Sequence, residues 1–376
     1  MIADLNPGVS LLIDKGLELM EIPRKIVFGP MAIKEVNEVC SEFSPDGKVF
    51  VLSGGKHTTA IADDKVIPVL EEGGLNVKSA SLGSQLASLH SVLNILKKVK
   101  KHKSSLLLAV GGGKVIDVGK AVSSILGIPY ISIPTSAAND GIASPEISYL
   151  LKIEITKELA PQKFKARAPI AIIADTKIIS RAPRVTLIAG CGDLLAKFVA
   201  VKDWELAYKL RGEPYSEYAA SLALLSAQLI VKRAKYIKEG LEESARIVVK
   251  ALIGSGVAMS IAGSSRPASG SEHLFSHALD VLSKKYGFKA APHGLQVGLG
   301  AIMMMWLHGG DWERIRNTLK LLGAPTNAYE LGIEPKYIIE ALTIAHKIRP
   351  DRYTILGSAG LTAEAAERLA KETEVI

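Results

Sequence analysis

The run Leu106-Leu107-Leu108-Ala109-Val110-Gly111-Gly112-Gly113-Lys114-Val115-Ile116-Asp117-Val118-Gly119-Lys120 sets the architecture. An all-apolar strand opens through three glycines onto a helix with an apolar stripe at Val115, Val118 and Val122. Strands covered on both faces read as unbroken apolar runs, the mark of a parallel sheet wrapped in helices. The turn makes an anion site, because bare glycine backbone lets a phosphate approach and free helix N–H groups favour its charge. It matches neither standard fingerprint. Ile116 stands where G-x-G-x-x-G needs its third glycine, and Val115 follows Lys114 where a P-loop needs Ser or Thr.

Outward from this turn, further strands are expected at Lys25 to Phe28, Lys48 to Leu52, Ser105 to Val110, Tyr130 to Ile133 and Ile170 to Ala174. Glu146 to Glu158 alternates partially and suggests a hairpin or edge strand. After about Pro183 the strand signals stop. Helical spacing follows at Leu194 to Leu210, Ser216 to Ile237, Leu241 to Ile261, Glu272 to Leu282, His293 to Leu307, Trp312 to Leu322, Pro335 to His346 and Thr362 to Thr373. The loop Gly263 to Ser271 ends with Ser271 poised to cap the next helix. The expected layout is an α/β Rossmann-like parallel-sheet domain over residues 1–183 and an all-α domain over residues 184–376.

With 376 residues, 48% of them apolar, the chain has enough material for two cores and is too apolar for disorder. Only Cys40 and Cys191 are present, so no disulfide framework or cysteine-based zinc finger is available. The first residues carry an acid and a proline where a secretory signal needs a basic, then apolar, stretch. The greasy stretch Val297 to Leu307 falls short of the roughly 20 residues that span a bilayer. A cytoplasmic protein without stable membrane insertion is expected. The formal charge of +8 concentrates at Lys97 to Lys103, the end of an amphipathic helix pattern through Leu86, Leu89, Val92, Leu93 and Leu96. Lysines there complement a helix dipole, and no aromatics interleave, so nucleic acid is not the expected partner. An anionic metabolite or dinucleotide suits the surplus charge better.

A second glycine turn, Ser53-Gly54-Gly55-Lys56, follows an earlier strand, and Lys56 could meet a 2′-phosphate. The polar loop Pro134 to Gly141 lies at the same carboxyl edge, where ligands of open α/β sheets bind. The helical half carries metal-capable side chains in three glycine-rich segments: Gly190-Cys191-Gly192-Asp193, Glu272-His273-Leu274-Phe275-Ser276-His277 and Pro292-His293-Gly294. A carboxylate with two imidazoles is a fitting shell for a catalytic divalent metal that keeps positions open for substrate oxygen. His273 and His277 share a helix face. They could be two ligands, one ligand and one acid/base, or a capping pair, and spacing does not choose.

Together, Gly111 to Asp117, Pro134 to Pro145 with its Asn139-Asp140-Gly141-Ile142-Ala143-Ser144 core, Gly190 to Leu194 and Ser265 to His273 closely resemble the glycerol-1-phosphate dehydrogenase family. The likeness runs from about Ile22 to near the C-terminus. It implies the dehydroquinate synthase-like fold shared with iron- or zinc-dependent alcohol dehydrogenases. It also implies reduction of dihydroxyacetone phosphate by NADH or NADPH to sn-glycerol 1-phosphate, the first step of archaeal ether-lipid backbones. By this resemblance Asp193, His273 and His293 hold one zinc ion per subunit. Asp193, Asp140 and His277 touch substrate, and His277, Asp140 or water carries the proton. Gly113, Lys114, Val115, Ile116, Asp117, Thr135, Ser136, Ala137, Ala138 and Ser144 match the coenzyme-binding stretches. Arg266 and Lys289 are candidates for the substrate phosphate. A homo-oligomer is expected, with small molecules as partners. Glycerol dehydrogenase and a dehydroquinate synthase-like lyase are the rival readings.

Overall fold

The computed structural model describes residues 20–159 and 164–376. The N-terminal segment read for a secretory signal lies outside the described residues. The chain forms two compact units, one holding the chain up to Ser136 with Gly141–Arg181, the other Ala137–Asp140 with Ala182–Ile376.

The first unit is built on six parallel strands: β1 (Lys25–Gly29), β2 (Lys48–Ser53), β3 (Asn76–Ser81), β4 (Leu106–Gly111), β5 (Tyr130–Pro134) and β6 (Ala171–Asp175). Their order across the sheet is β1-β6-β5-β4-β2-β3. Around them lie α1 (Val36–Phe43), α2 (Lys56–Ile61), a π-turn (Ala62–Val66), α3 (Ile67–Glu72), α4 (Leu89–His102), α5 (Gly113–Leu126), α6 (Tyr149–Leu159) and α7 (Thr176–Ile179). Leu106, Leu107, Leu108 and Val110 are fully buried, each worth about 1.5–3 kcal/mol of transfer free energy. The chain runs outward from β2 to β3 on one side and from β4 through β5 to β6 on the other. The reversal therefore falls between β2 and β4, and Ser53 pairs with Val110 so that both strands end together.

Two expectations need correction, and one strand had none. Edge strand β3 was not anticipated, because Asn76-Val77-Lys78-Ser79-Ala80-Ser81 is largely exposed and holds its place by backbone pairing to β2. Glu146 to Glu158 is no edge strand. Tyr149–Leu159 is helical, because Leu151 and Ile155, one turn apart, are both buried and override the local β preference of Ile153 and Thr156. In α4 the buried stripe is Val92, Ile95 and Val99, while Leu86 and Leu93 are exposed.

The second unit is helical: α8 (Arg184–Leu195), α9 (Lys197–Arg211), α10 (Glu217–Arg233), α11 (Glu242–Ala262), α12 (Ser271–Tyr286), α13 (His293–Leu307), α14 (Trp312–Leu322), α15 (Ala328–Leu331), α16 (Pro335–Ile348) and α17 (Ala363–Glu372). Helix α8 begins well before the expected Leu194, since Ile188 through Leu195 are buried on every side and show no helical period. Ser271 is the first residue of α12, not its cap. Its hydroxyl and backbone N–H both donate to Asp203 Oδ2 at 2.6 Å. By length and hydropathy α11 is a longer apolar stretch than Val297 to Leu307 and could span a membrane, but 61% of its apolar window is buried inside the protein. Met303, Met304 and Met305 are likewise core.

Candidate active site

Two helices of the second unit cross so closely that only glycine fits. A Cβ at Gly192 of α8 would strike the carbonyl of Gly294, and one at Gly294 of α13 would strike that of Ala189. This crossing brings Asp193 against His293, and α12 adds His273. Their ligand-capable atoms all lie within 4.8 Å of one another. His273 Nε2 faces Asp193 Oδ1 at 3.4 Å, and that buried oxygen accepts no hydrogen bond. The other nitrogen of His273, Nδ1, lies 2.7 Å from Glu272 Oε1, and Nδ1 of His293 lies 3.1 Å from Ser276 Oγ. Each ring is thus held by an outer partner, which leaves Nε2 for a ligand bond, as in histidine metal sites generally. An orphan carboxylate oxygen and two oriented imidazoles fit a divalent metal.

His277 stacks on His293 with ring centroids 5.6 Å apart, and its Nδ1 is 3.9 Å from Asp280 Oδ2. His277, Asp280 and His293 form a second, overlapping ligand-capable group. Gln296 ties the two helices together, donating to Ser276 Oγ at 3.1 Å and Asp280 Oδ1 at 3.0 Å.

A fully buried lysine sits behind the cluster. Lys197 Nζ lies 2.9 Å from Asp140 Oδ2 and 3.2 Å from Asp193 Oδ2, and donates to the Ala268 carbonyl at 3.2 Å. Asp140 N–H donates to Asp193 Oδ2 at 3.1 Å, and Ser255 Oγ donates to Asp140 Oδ2 at 2.7 Å. Burial would push the Asp193 carboxyl up, but Lys197 and His273 outweigh it and hold the group well below the usual carboxylate range. Burial and the neighbouring Asp193 charge push Asp140 up against the pull of Lys197. Burial opposes charge on His293, and with the charges of His273 and His277 lowers it to about 3. His293 is therefore neutral at neutral pH, with one ring nitrogen carrying the proton and the other a lone pair for a ligand.

In the first unit a cavity of about 320 Å³ is lined by Gly54, Gly55, Gly83, Gly112, Gly113 and Lys114 among others. It lies beyond the carboxyl ends of β2 and β4, the switch point where open α/β sheets take ligands. Gly112 precedes α5 and no side chain caps that helix, so its first N–H groups are open to an anion. Of the residues expected to bind coenzyme, Gly113, Lys114 and Val115 line the cavity; Ile116 is buried behind them. Asp117 Oδ2 instead accepts from Ser148 N at 3.0 Å, and burial pushes its carboxyl up. Ser136 Oγ stands 3.2 Å from where a Cβ of Gly112 would be, and Thr135 N–H donates to Gly111 O at 3.1 Å. Ser144 is buried, and its Oγ accepts from Glu146 N at 3.4 Å. Ala137 and Ala138 belong to the second unit, and Lys56 does not line the cavity. A larger cavity, about 760 Å³, lined by Arg211, Lys347 and Arg352 among others, includes none of Asp193, His273, His277 and His293.

The chain is 51% identical over 358 residues to glycerol-1-phosphate dehydrogenase [NAD(P)+] of Methanothermobacter thermautotrophicus, covering 95% of this chain and 99% of that one. It is 50% identical over 368 residues to the protein of the same name from Thermococcus kodakarensis, covering 96% and 100%. The chain belongs to the glycerol-1-phosphate dehydrogenase family. A family model for iron-containing alcohol dehydrogenase matches residues 27–183. The fold of this glycerol-1-phosphate dehydrogenase family member is that of a probable glycerol dehydrogenase from Sinorhizobium meliloti, at TM-score 0.73 and 19% identity over 95% of this chain and 98% of that one. The iron-containing alcohol dehydrogenase of Thermococcus thioreducens gives a TM-score of 0.69 at 17% identity, covering 95% and 99%.

In this family member, sequence reading missed Lys197, Ser255 and the partner role of Glu272. Lys197 lies four residues after Asp193, a spacing that places them on one helical face and was available as a signal. Ser255 carried none, since only packing brings it to Asp140, whereas Glu272 is the direct neighbour of His273 and its role turns on the side-chain conformation. The guess that Arg266 binds phosphate conflicts with its environment. Arg266 is buried, donates to Tyr353 O at 2.8 Å and pairs with Glu213.

Proposed function

We propose that this chain catalyses the reversible reduction of dihydroxyacetone phosphate by NADH or NADPH to sn-glycerol 1-phosphate, with Asp193, His273 and His293 holding one zinc ion per subunit. The observation that carries the reading is the buried Asp193, His273 and His293 cluster in a chain half identical to proteins of that name. When bound, the metal supplies Lewis-acid polarisation of the ketone oxygen and the reduced nicotinamide supplies the hydride. Glu272 and Ser276 fix the two imidazole rings before any ligand arrives. Lys197 is shared by the two neighbouring carboxylates and, with Ser255, fixes Oδ2 of Asp140 in place. The proton that balances the hydride passes through His277, Asp140 or bound water and ribose hydroxyls. Burial lowers His277, and burial with the Asp193 charge raises Asp140, so each is shifted toward its neutral form.

The open N-terminus of α5 and the Gly112-Gly113 backbone are assigned to the coenzyme pyrophosphate, with Gly113 to Asp117, Thr135 to Ala138 and Ser144 as its binding stretches. In this reading the enzyme works in the cytoplasm as a homo-oligomer, and its product has the stereochemistry of archaeal ether-lipid backbones. Burial of α11 supports a core role for the one span-length apolar helix among the described residues. The test follows NADH and NADPH oxidation with dihydroxyacetone phosphate, before and after chelation, with product chirality determined. Metal-dependent formation of the sn-1 isomer is expected. Turnover of glycerol or dihydroxyacetone but not of the phosphorylated ketone would overturn the substrate, and full activity after complete metal removal would overturn the metal.

A further inference from the structure

The cluster provides for a ketone oxygen, yet the cations beside it are committed. Lys197 is taken by Asp140 and Asp193, Arg266 by Glu213 and Tyr353 O, and Arg352 by Ser269 O and Ser265 Oγ. A phosphorylated substrate brings a dianion that needs a counter-charge in or next to the cluster.

Helices α12 and α16 supply one. They run antiparallel: Glu340 of α16 accepts from Lys285 Nζ at 3.2 Å and Tyr286 Oη at 3.0 Å near the end of α12, while Arg352, just past α16, reaches Ser265 and Ser269 ahead of its start. With equal rise on the two helices, moving about nine residues along α16 from Glu340 corresponds to moving about nine back along α12 from Tyr286. That step reaches Arg349 on one helix and His277 on the other. Arg349 is the C-terminal cap of α16, fixed there by Pro350, which cannot continue the helix. It is half-buried, and its guanidinium makes no hydrogen bond or ion pair among the described residues. The Arg349 charge is close enough to be felt at the His277 ring.

We propose that Arg349 binds the phosphate of the substrate and makes the site selective for a phosphorylated three-carbon ketone or polyol over its unphosphorylated counterpart. This rests on the function proposed above. A guanidinium presents a rigid fork of N–H donors that matches phosphate oxygens two at a time, and a half-buried one without a partner is costly until such an anion arrives.

The experiment compares wild type with Arg349→Ala, Arg349→Gln, Arg349→Lys and Lys289→Ala, on dihydroxyacetone phosphate and on dihydroxyacetone. Inorganic phosphate serves as a competitive probe, and metal content and melting temperature serve as controls. Arg349→Ala and Arg349→Gln should raise KM for the phosphorylated ketone about 10- to 100-fold, from loss of a charge-assisted contact, and abolish phosphate inhibition. Parameters for dihydroxyacetone should stay within about twofold, because it makes no such contact, and Arg349→Lys should recover part of the loss. Unchanged KM in a folded, metal-loaded variant overturns the proposal, as do equal losses on both ketones or transfer of the effect to Lys289→Ala. Wild type that does not prefer the phosphorylated ketone overturns the proposed function itself. Wild type that prefers it, beside an Arg349→Ala variant that still does, overturns only Arg349.

Discussion

The glycine-lined cavity of the first unit and the charged cluster of the second are built by opposite means. The cavity at Gly54-Gly55 and Gly112-Gly113 is mostly backbone, delivered by two strands that end side by side. Its chemistry is that of free N–H groups at a helix start, so the local chain supplies nearly all of it. The cluster is made of side chains on α8, α9, α12 and α13 together with Asp140, and each of its charges depends on another. A backbone site is robust to the identity of its neighbours; a buried charge network holds only if every partner is present.

The comparison breaks most visibly with His273→Ala. We expect turnover to fall about a thousandfold or more with loss of bound metal, as for removal of a Lewis-acid site. Coenzyme affinity, measured by NADPH fluorescence, should stay within about twofold, because the substitution removes no group of the glycine cavity. A matching loss of coenzyme affinity would show that the two sites are not independent. Lys197→Met sharpens the contrast next. It strands Asp140 and Asp193 as buried carboxylates without their cation, and should cost about 3–5 kcal/mol in urea unfolding at neutral pH. A near-neutral result would mean that those carboxylates relax or take up protons readily. The smallest effects distinguish two glycines. Gly192→Ala, which collides with the Gly294 backbone, should destabilise by about 1–3 kcal/mol and lower metal content. Gly112→Ala meets only Ser136 Oγ, should change stability by less than about 0.5 kcal/mol, and should raise KM for coenzyme alone.

The same contrast explains what could be read along the chain. Strand β4, the three glycines and the start of α5 are contiguous, so an apolar run followed by bare backbone announces both the parallel sheet and the uncapped helix start beside it. The histidine pair was visible as two metal-capable rings on one face, but its division of labour was not. Only the seating of His293 between Ser276 and the His277 ring, and of His273 against Glu272, separates a pair of candidate ligands from a third histidine beside them. Local preference misled at Tyr149–Leu159, where burial of Leu151 and Ile155 outweighed β-branched residues. It was silent at β3, whose polar side chains leave backbone pairing as the main signal.

Hydrophobic period and glycine placement, which act over a few residues, were thus enough to establish the α/β half, the helical half, the glycine turn that opens a helix and a pool of metal-capable residues. The sharing of Lys197 between two carboxylates, the outer partners of the histidines and the level of Arg349 beside His277 belong to the folded chain alone. The reason is range. The contacts of Lys197 with Asp140 and of Ser276 with His293 join separate segments, and the missing side chains of Gly192 and Gly294 let the helices that carry Asp193 and His293 approach closely.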